Sequence, residues 1–452
     1  MSGALPQRES WATKIGILFA TASWGIGLGN IWRFPYLTGE YGGASFLLVY
    51  ILISVIIGIP CMVIEYNLGR ESQSSPITGN FQLTSNPVWR LGGIFGIIGG
   101  LMIFSYYVMI IGWVLAYFVN FIPNTFGGMD ITAIGQHFDA LCVDSAKTLA
   151  YEAVVLIFLG VAVSAGLVKG VERVAKYGMP TLAILFILLA IYSLTLPGAF
   201  KGVKFFLVPD FSKMNGQGFL AALGQAFLSI GVGQGASWVY ASYMKKNDDV
   251  PTMISQAVFM NIAVGILVGL IIFPAAFAVG VNPDSGFSLL FKTLPSIFNI
   301  LPGGYIVGLL FFFGVLIAAI TSAIAFAECF ASTLMDSLKW NRTTARRKAT
   351  WIVIVFSFVL SLPSVLANGP LKDVRWFGMD MFTFMDYVSA NVFLILAGLI
   401  MCLYTGWSRG FEQFRDEANT GATRVRVRNW WRPLILYVIP IVIAINFIAA
   451  NF

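Results

Sequence analysis

Ser23-Trp24-Gly25-Ile26-Gly27-Leu28-Gly29-Asn30-Ile31-Trp32-Arg33-Phe34-Pro35-Tyr36 lies in the middle of the first long apolar segment of the chain. The alternating Gly25, Gly27 and Gly29 are poor helix formers, each costing about 1 kcal/mol relative to alanine. Arg33 in hydrocarbon costs about 2.5–3.5 kcal/mol on insertion scales. A membrane helix that carries both is expected to break here. Irregular backbone at membrane depth persists only where it is buried in protein or lines a watery cavity. The break therefore reads as half of a binding site.

Composition puts this stretch in a membrane. The chain has 452 residues, 58% hydrophobic and 11% charged, with a mean hydropathy of +0.81. A soluble fold could not hide that much apolar surface, so a polytopic membrane protein is expected. Met1 to Ser10 is polar and the first span follows directly, so no cleavable leader is expected. The net charge of +7 reads as basic loops on one side of the bilayer rather than as a nucleic-acid surface. Cys61, Cys142, Cys329 and Cys402 are far apart, and His137 has no partner motif; neither a disulfide framework nor a zinc site is indicated.

Apolar runs long enough to cross a bilayer fall near 14–38, 43–69, 89–122, 149–168, 175–196, 218–243, 253–280, 304–337, 349–366, 383–407 and 431–452, giving eleven expected spans. With the N-terminus inside, the inner segments hold about 20 Lys and Arg and the outer loops about 7. That asymmetry predicts a cytoplasmic N-terminus and, with an odd number of spans, a C-terminus outside.

The sixth span repeats the anomaly: Gly231-Val232-Gly233-Gln234-Gly235, with Gln225 and Ser229 before it. Small residues also occur at helix-packing seams, but those favour a four-residue spacing. Alternate glycines point to different faces, so a second break is the better reading. The two breaks stand about 205 residues apart at corresponding positions of two five-span halves, the sequence pointer to a transporter site between inverted repeats. The halves are expected at 1–200 and 201–410, with a cytoplasmic loop and the eleventh span at 411–452. Freed amides attract a carboxylate, and freed carbonyls attract cations or an ammonium group. One site with both suits an amino acid.

These residues resemble the neurotransmitter:sodium symporters. The likeness rests on Trp11-Ala12-Thr13-Lys14, Gly27 to Tyr36, Glu40-Tyr41-Gly42-Gly43-Ala44-Ser45-Phe46, Gly58-Ile59-Pro60 with Glu65, Tyr106-Tyr107, Tyr240-Ala241-Ser242-Tyr243 and Ala318-Ala319-Ile320-Thr321-Ser322, and it covers nearly the whole chain. Eleven spans and the pattern in span five are similar to the family's bacterial multi-hydrophobic amino acid transporters. The resemblance implies the leucine-transporter fold, an all-α polytopic membrane protein with a 5+5 inverted repeat and broken helices one and six. It implies a sodium-coupled symporter in the cell (inner) membrane that imports neutral hydrophobic L-amino acids, aliphatic and aromatic, by alternating access.

The resemblance also assigns residues. One sodium ion would use Gly25, Asn30, Ser229, Asn261 and the substrate carboxylate. The other would use Ser23, Ile26, Ala318, Thr321 and Ser322. The substrate carboxylate would meet the Leu28 and Gly29 amides and the Tyr107 hydroxyl. Its ammonium would meet carbonyls near Gly25, Leu228 and Ser229. Gly27 stands where monoamine carriers have an aspartate, which favours an amino acid over an amine. Ile103, Tyr107, Leu228, Gly231, Gln234, Ser322, Ala323 and Phe326 would line the side-chain pocket. Gly231 replaces a serine of the family's leucine transporter, and Leu228 replaces the usual gating phenylalanine; both changes predict room for large apolar side chains.

Arg33 and Asp386 would form an outer gate. Arg8 and Asp336, with Trp11, Tyr243 and Ser242 nearby, would form an inner one. Glu65 is expected to satisfy freed amides of span six, whereas the role of Glu328 is open. Gly170 and Pro180 of span five would unwind to release sodium inward. Tyr50, Gln225 and Ser229 match chloride-dependent relatives, but Gly265 stands where the leucine transporter has a carboxylate, so chloride coupling stays open. The expected partners are a small-molecule substrate and membrane lipid, with no nucleic acid. The glycines lack the strand and helix context of a nucleotide-binding loop, no nucleophile constellation appears, and an enzyme is not expected. A channel would not need paired breaks.

Overall fold

The computed structural model describes residues 8–280 and 289–451. Among them, nine continuous helices are long and apolar enough to cross a bilayer: Ala44–Ser72, Pro87–Phe121, Ser145–Ser164, Leu167–Leu194, Val250–Val279, Gly304–Ser337, Arg342–Leu366, Met381–Ala418 and Trp431–Asn451. A tenth span is the pair Lys14–Gly25 and Gly29–Glu40, bent by 54° at the glycine stretch. The sixth expected span is two shorter helices, Gly216–Ile230 and Ala236–Ser242, neither of spanning length. Of the eleven expected spans, nine are thus continuous helices of spanning length among the described residues, and the first and sixth are the two broken elements. Span five begins at Leu167, earlier than its apolar run suggests, because Gly166 at φ +97° turns the chain and Lys169 and Arg173 fall inside the first turns.

Burial separates inner from outer helices. Span eight, Gly304–Ser337, has 72% of its most apolar window buried, whereas the last span, Trp431–Asn451, has 22%. Both broken helices lie inside. Lys14–Gly25 packs on spans seven, five and eight, and Ala236–Ser242 packs on span two. Irregular backbone is therefore walled by protein, as bilayer physics requires.

The two breaks arise differently. In span six, Gly231, Gly233 and Gly235 all have φ near +80°, a conformation side chains rarely accept. Glu65 of span two anchors this bend by accepting the Gly233 amide at 3.0 Å. Span one has no left-handed residue at its break; the helix ends at Ile26 with φ −84° and ψ 82°. Gly25 and Gly27 are tight for space instead, whereas a Cβ at Gly29 would meet only ordinary contacts with Leu228, at 3.5 Å and beyond. A Cβ at Gly25 would lie 2.6 Å from the Ser229 carbonyl oxygen, and one at Gly27 would lie 2.8 Å from the Tyr107 hydroxyl.

Candidate substrate and ion site

The breaks face one another across a cavity of about 200 Å³. Gly25, Gly27, Leu28 and Gly29 line it from span one, Ile103 and Tyr107 from span three, Leu228, Ser229 and Gln234 from span six, and Ser322 and Phe326 from span eight. The Tyr107 hydroxyl accepts the Leu28 amide at 3.3 Å. A hydroxyl and an amide of the broken strand thus converge where a carboxylate could sit, since an oxygen ligand can replace the tyrosine on that amide.

Two expected lining residues do not face the cavity. Gly231 turns its missing side chain toward Trp24, whose indole Nε1 would be 2.2 Å from a Cβ there. The space gained at Gly231 is therefore filled by Trp24, and the inference of extra substrate room at this position is corrected. Ala323 is fully buried within span eight, outside the cavity lining. Conversely, Trp24, Trp32, Tyr106, Ile110, Phe382, Ala390 and Asn391 line the cavity without having been singled out. In sequence, Tyr106 is flagged only as half of a Tyr-Tyr pair, Trp24 and Trp32 stand in the opening stretch without a role of their own, and the rest read as ordinary apolar-span residues.

The polar groups at the break are only partly paired with one another. Asn30 is buried at 1% exposure, and both polar atoms of its side chain lack a hydrogen-bond partner. Such a buried amide ordinarily has a partner, and its oxygen fits a cation. Asn261 donates to the Ser229 carbonyl at 2.6 Å and accepts from the Tyr50 hydroxyl at 3.0 Å. Tyr50 also lies 3.0 Å from Ser229 Oγ, while Gln225 donates to the Gly29 carbonyl at 3.0 Å.

On the other side of span one, Ser322 Oγ lies 2.8, 3.3 and 3.3 Å from the carbonyl oxygens of Ser23, Trp24 and Ile26. Thr321 Oγ1 donates to the Ala318 carbonyl at 3.0 Å. One serine proton serves several carbonyls there, so the cluster has more oxygen lone pairs than donors. Neutral oxygens in excess of donors suit a monovalent cation.

The two ends of the cavity differ. At its mouth, Arg33 and Asp386 both line the wall, but among the described residues no ion pair joins them. Asp386 instead accepts the Tyr106 hydroxyl at 2.8 Å. The expected pairing of Arg33 with Asp386 is thus not formed in this conformation.

The N-terminal face is closed by a network. Arg8 donates to Asp336 at 2.9 Å and to Ser332 at 3.1 Å, and its guanidinium lies over the Tyr243 ring. Asp336 also accepts from Arg342 and, at 2.7 Å, from the Ser75 amide. Burial lowers the Arg8 pKa from its ordinary value, and Tyr243 and Asp336 oppose that shift. Trp11 donates to the Tyr240 carbonyl at 2.9 Å, and Ser242 Oγ donates to Val239 within its own helix.

Beneath this layer, Glu328 accepts from Tyr243 at 2.5 Å and from Arg346 at 2.6 Å. Arg346 also donates to Glu9 at 3.1 Å. Glu172 of span five accepts the Ala12 and Thr13 amides at 2.9 and 3.1 Å. Arg342, Arg346, Glu9 and Glu172 were not singled out in the sequence. The one available signal was Glu328, a membrane carboxyl that demands a donor. Span five is wound through Pro180, and Gly170 permits close packing on span four, where a Cβ would lie 1.8 Å from the Ala162 carbonyl oxygen.

Comparison with known proteins identifies the family. The profile described as "Sodium:neurotransmitter symporter family" matches residues 8–130 and 133–451. The chain belongs to that family. An uncharacterised sodium-dependent transporter of Bacillus subtilis (strain 168) is 35% identical over 439 residues, spanning 97% of this chain and 96% of the relative. An uncharacterised sodium-dependent transporter of Methanocaldococcus jannaschii is 29% identical over 463 residues, spanning 98% and 91%. The crystal structure of MhsT in complex with L-phenylalanine is similar at a TM-score of 0.88 with 36% identity, covering 98% of this chain and 100% of that one. The symporter is accordingly an all-α polytopic membrane protein of the leucine-transporter type, a sodium-dependent transporter and not an enzyme.

Proposed function

We propose that this symporter imports neutral hydrophobic L-amino acids, both aliphatic and aromatic, together with sodium. The observation that carries the reading is the cavity at Gly27. Its only charged lining residues are Arg33 and Asp386 at the mouth. A side chain at position 27 would collide with the Tyr107 hydroxyl and with Ser322 Oγ, at 2.8 and 2.9 Å. Gly27 supplies no carboxylate for a bare amine, whereas the Leu28 and Gly29 amides and Tyr107 can hold a carboxylate. Carbonyls of Gly25, Leu228 and Ser229 take the ammonium, and Ile103 and Phe326 meet an apolar side chain. The likeness to MhsT, solved with L-phenylalanine, supports this substrate class.

Sodium travels as co-substrate at two places. Gly25, Asn30, Ser229 and Asn261 hold one ion beside the substrate carboxylate, which couples the two binding events directly. Ser23, Ile26, Ala318, Thr321 and Ser322 hold the other. Gly178 of span five packs against Thr321, with a Cβ there reaching 3.3 Å from the threonine methyl. Unwinding between Gly170 and Pro180 would therefore open the second ion toward the N-terminal side. The Arg8–Asp336 network is the inner gate, Arg33 and Asp386 are the outer one, and the conformation described has the inner gate closed. The Lys and Arg distribution supports a cytoplasmic N-terminus and an outside C-terminus, in a protein of the cell membrane.

The test is uptake of labelled leucine and phenylalanine into proteoliposomes. Saturable accumulation that follows an inward sodium gradient and stops without sodium is the expected result. Accumulation of neither amino acid under any sodium gradient would overturn the reading.

A further inference from the structure

Trp24 is one of the cavity residues that the roles above leave unused. It lies at the last turn before the span-one break and is 4% exposed. Its indole N–H donates to Ser237 Oγ at 3.0 Å and lies 3.4 Å from the Gly231 carbonyl oxygen. Its ring meets Phe326 edge-on, with centroids 4.6 Å apart and planes at 82°. The polar atom of the indole is thus satisfied by span six, and the surface left for the cavity is carbon. The position of the ring depends on Gly231, where a Cβ would fall 2.2 Å from Nε1, 2.7 Å from Cε2 and 3.0 Å from Cδ1. These are atoms of a rigid ring held at its N–H, not the free end of a flexible side chain.

We propose that Trp24 is the specificity-determining residue of the side-chain pocket, and that Gly231 positions it. The indole forms an apolar aromatic floor that sets the largest side chain the cavity accepts. Gly231 acts at one remove, by leaving the volume the indole occupies. This inference rests on the amino-acid reading given above and deepens it. A change of a methylene or two in an apolar pocket is worth about 10–200-fold in discrimination. Truncating a floor-forming indole shifts substrate ranking by at least that order.

The experiment measures competition of tryptophan, phenylalanine, leucine and alanine with a labelled amino acid that the purified wild-type protein binds. The proteins are wild type, Trp24→Phe, Trp24→Ala, Gly231→Ala and the double variant Trp24→Ala/Gly231→Ala. Truncation at Trp24 is expected to raise the ratio of tryptophan to alanine affinity by tenfold or more, with Trp24→Phe intermediate. Gly231→Ala is expected to weaken bulky substrates more than small ones. In the double variant that loss is expected to shrink, because alanine at 231 no longer meets the indole. The strain of alanine at φ +80° is present in both backgrounds and cancels in the comparison.

An unchanged ranking in folded Trp24→Phe and Trp24→Ala would overturn the assignment, as would equal losses from Gly231→Ala with and without the indole. Failure of folded Trp24→Phe to bind any amino acid would also overturn it, by making the indole part of the scaffold. Absence of amino-acid binding by the wild-type protein is a different failure, and it falls on the proposed function instead.

Discussion

Replacing Glu328 with glutamine should loosen the closed N-terminal face. Glu328 is fully buried and is held by Arg346 at 2.6 Å and Tyr243 at 2.5 Å. Removing one member of a buried ion pair typically costs about 3–5 kcal/mol, because the remaining charge is left uncompensated. Two features reduce that here. Glutamine keeps an acceptor oxygen for one donor, and Arg346 keeps Glu9, whose side chain is 31% exposed and screened. We therefore expect about 2 kcal/mol, or about a thirtyfold shift in the balance between closed and open N-terminal faces.

Cys329 is a native reporter for this shift. It is fully buried, and its Sγ lies 3.4 Å from where a Gly235 Cβ would stand, at the span-six break. With Cys61, Cys142 and Cys402 replaced by serine, the rate of thiol labelling at Cys329 should rise by about thirtyfold in Glu328→Gln, in proportion to the open population. The double variant Glu328→Leu/Arg346→Met removes both charges; such replacements are often neutral or stabilising, so its labelling should return toward the wild-type rate. Labelling within threefold of wild type in folded Glu328→Gln would refute the reasoning. So would a double variant as reactive as the single one, because the ion pair would then not be what holds the face shut.

Asn30 makes no side-chain hydrogen bond in this structure, so Asn30→Ala should leave thermal stability nearly unchanged while raising the sodium concentration for half-maximal substrate binding about tenfold or more. A sodium titration that does not move would remove Asn30 from the ion site. Pro180 interrupts the hydrogen bonding of a helix that is wound in this conformation; Pro180→Ala should slow turnover in exchange-free uptake with little change in substrate affinity. Unchanged turnover would show that span five does not need to unwind there.

Both breaks were legible because glycine in a membrane helix needs a reason, and alternate spacing removes the commonest one. What the sequence could not distinguish was the kind of reason. Gly25-x-Gly27-x-Gly29 and Gly231-x-Gly233-x-Gly235 look alike as strings, yet only the second set has left-handed backbone angles, whereas Gly25 and Gly27 answer to neighbouring atoms alone. That is why Gly231 was misread as added pocket volume: the residue that uses the volume, Trp24, is far away in sequence and looks like any apolar span residue. The N-terminal network was hidden for a related reason. Arg342 and Arg346 lie among loop cations, where charge counting serves orientation and says nothing of pairing. Their partners Glu328, Asp336 and Glu9 include one separated from Arg346 by 337 positions. At the mouth, sequence supplied both Arg33 and Asp386 but could not show that the carboxylate accepts from Tyr106 and stands unpaired with Arg33 in this conformation.

The difference between the breaks bears on which half responds to ligand. The bend of span six is set by its own left-handed glycines and by Glu65 on the Gly233 amide; nothing that enters the cavity needs to hold it. The bend of span one has no such internal cause. Its geometry is kept by Tyr107 on the Leu28 amide and by Ser322 among the carbonyls of Ser23, Trp24 and Ile26. A carboxylate arriving at Leu28 or a cation arriving at those carbonyls replaces the very contacts that keep span one bent. The helix immediately before this bend, Lys14–Gly25, begins at the residues whose amides Glu172 accepts, next to Arg8 and Trp11. A change at the site therefore has a short path to the N-terminal network along one helix, and on the proposed function we expect span one rather than span six to carry the coupling between occupancy and gating.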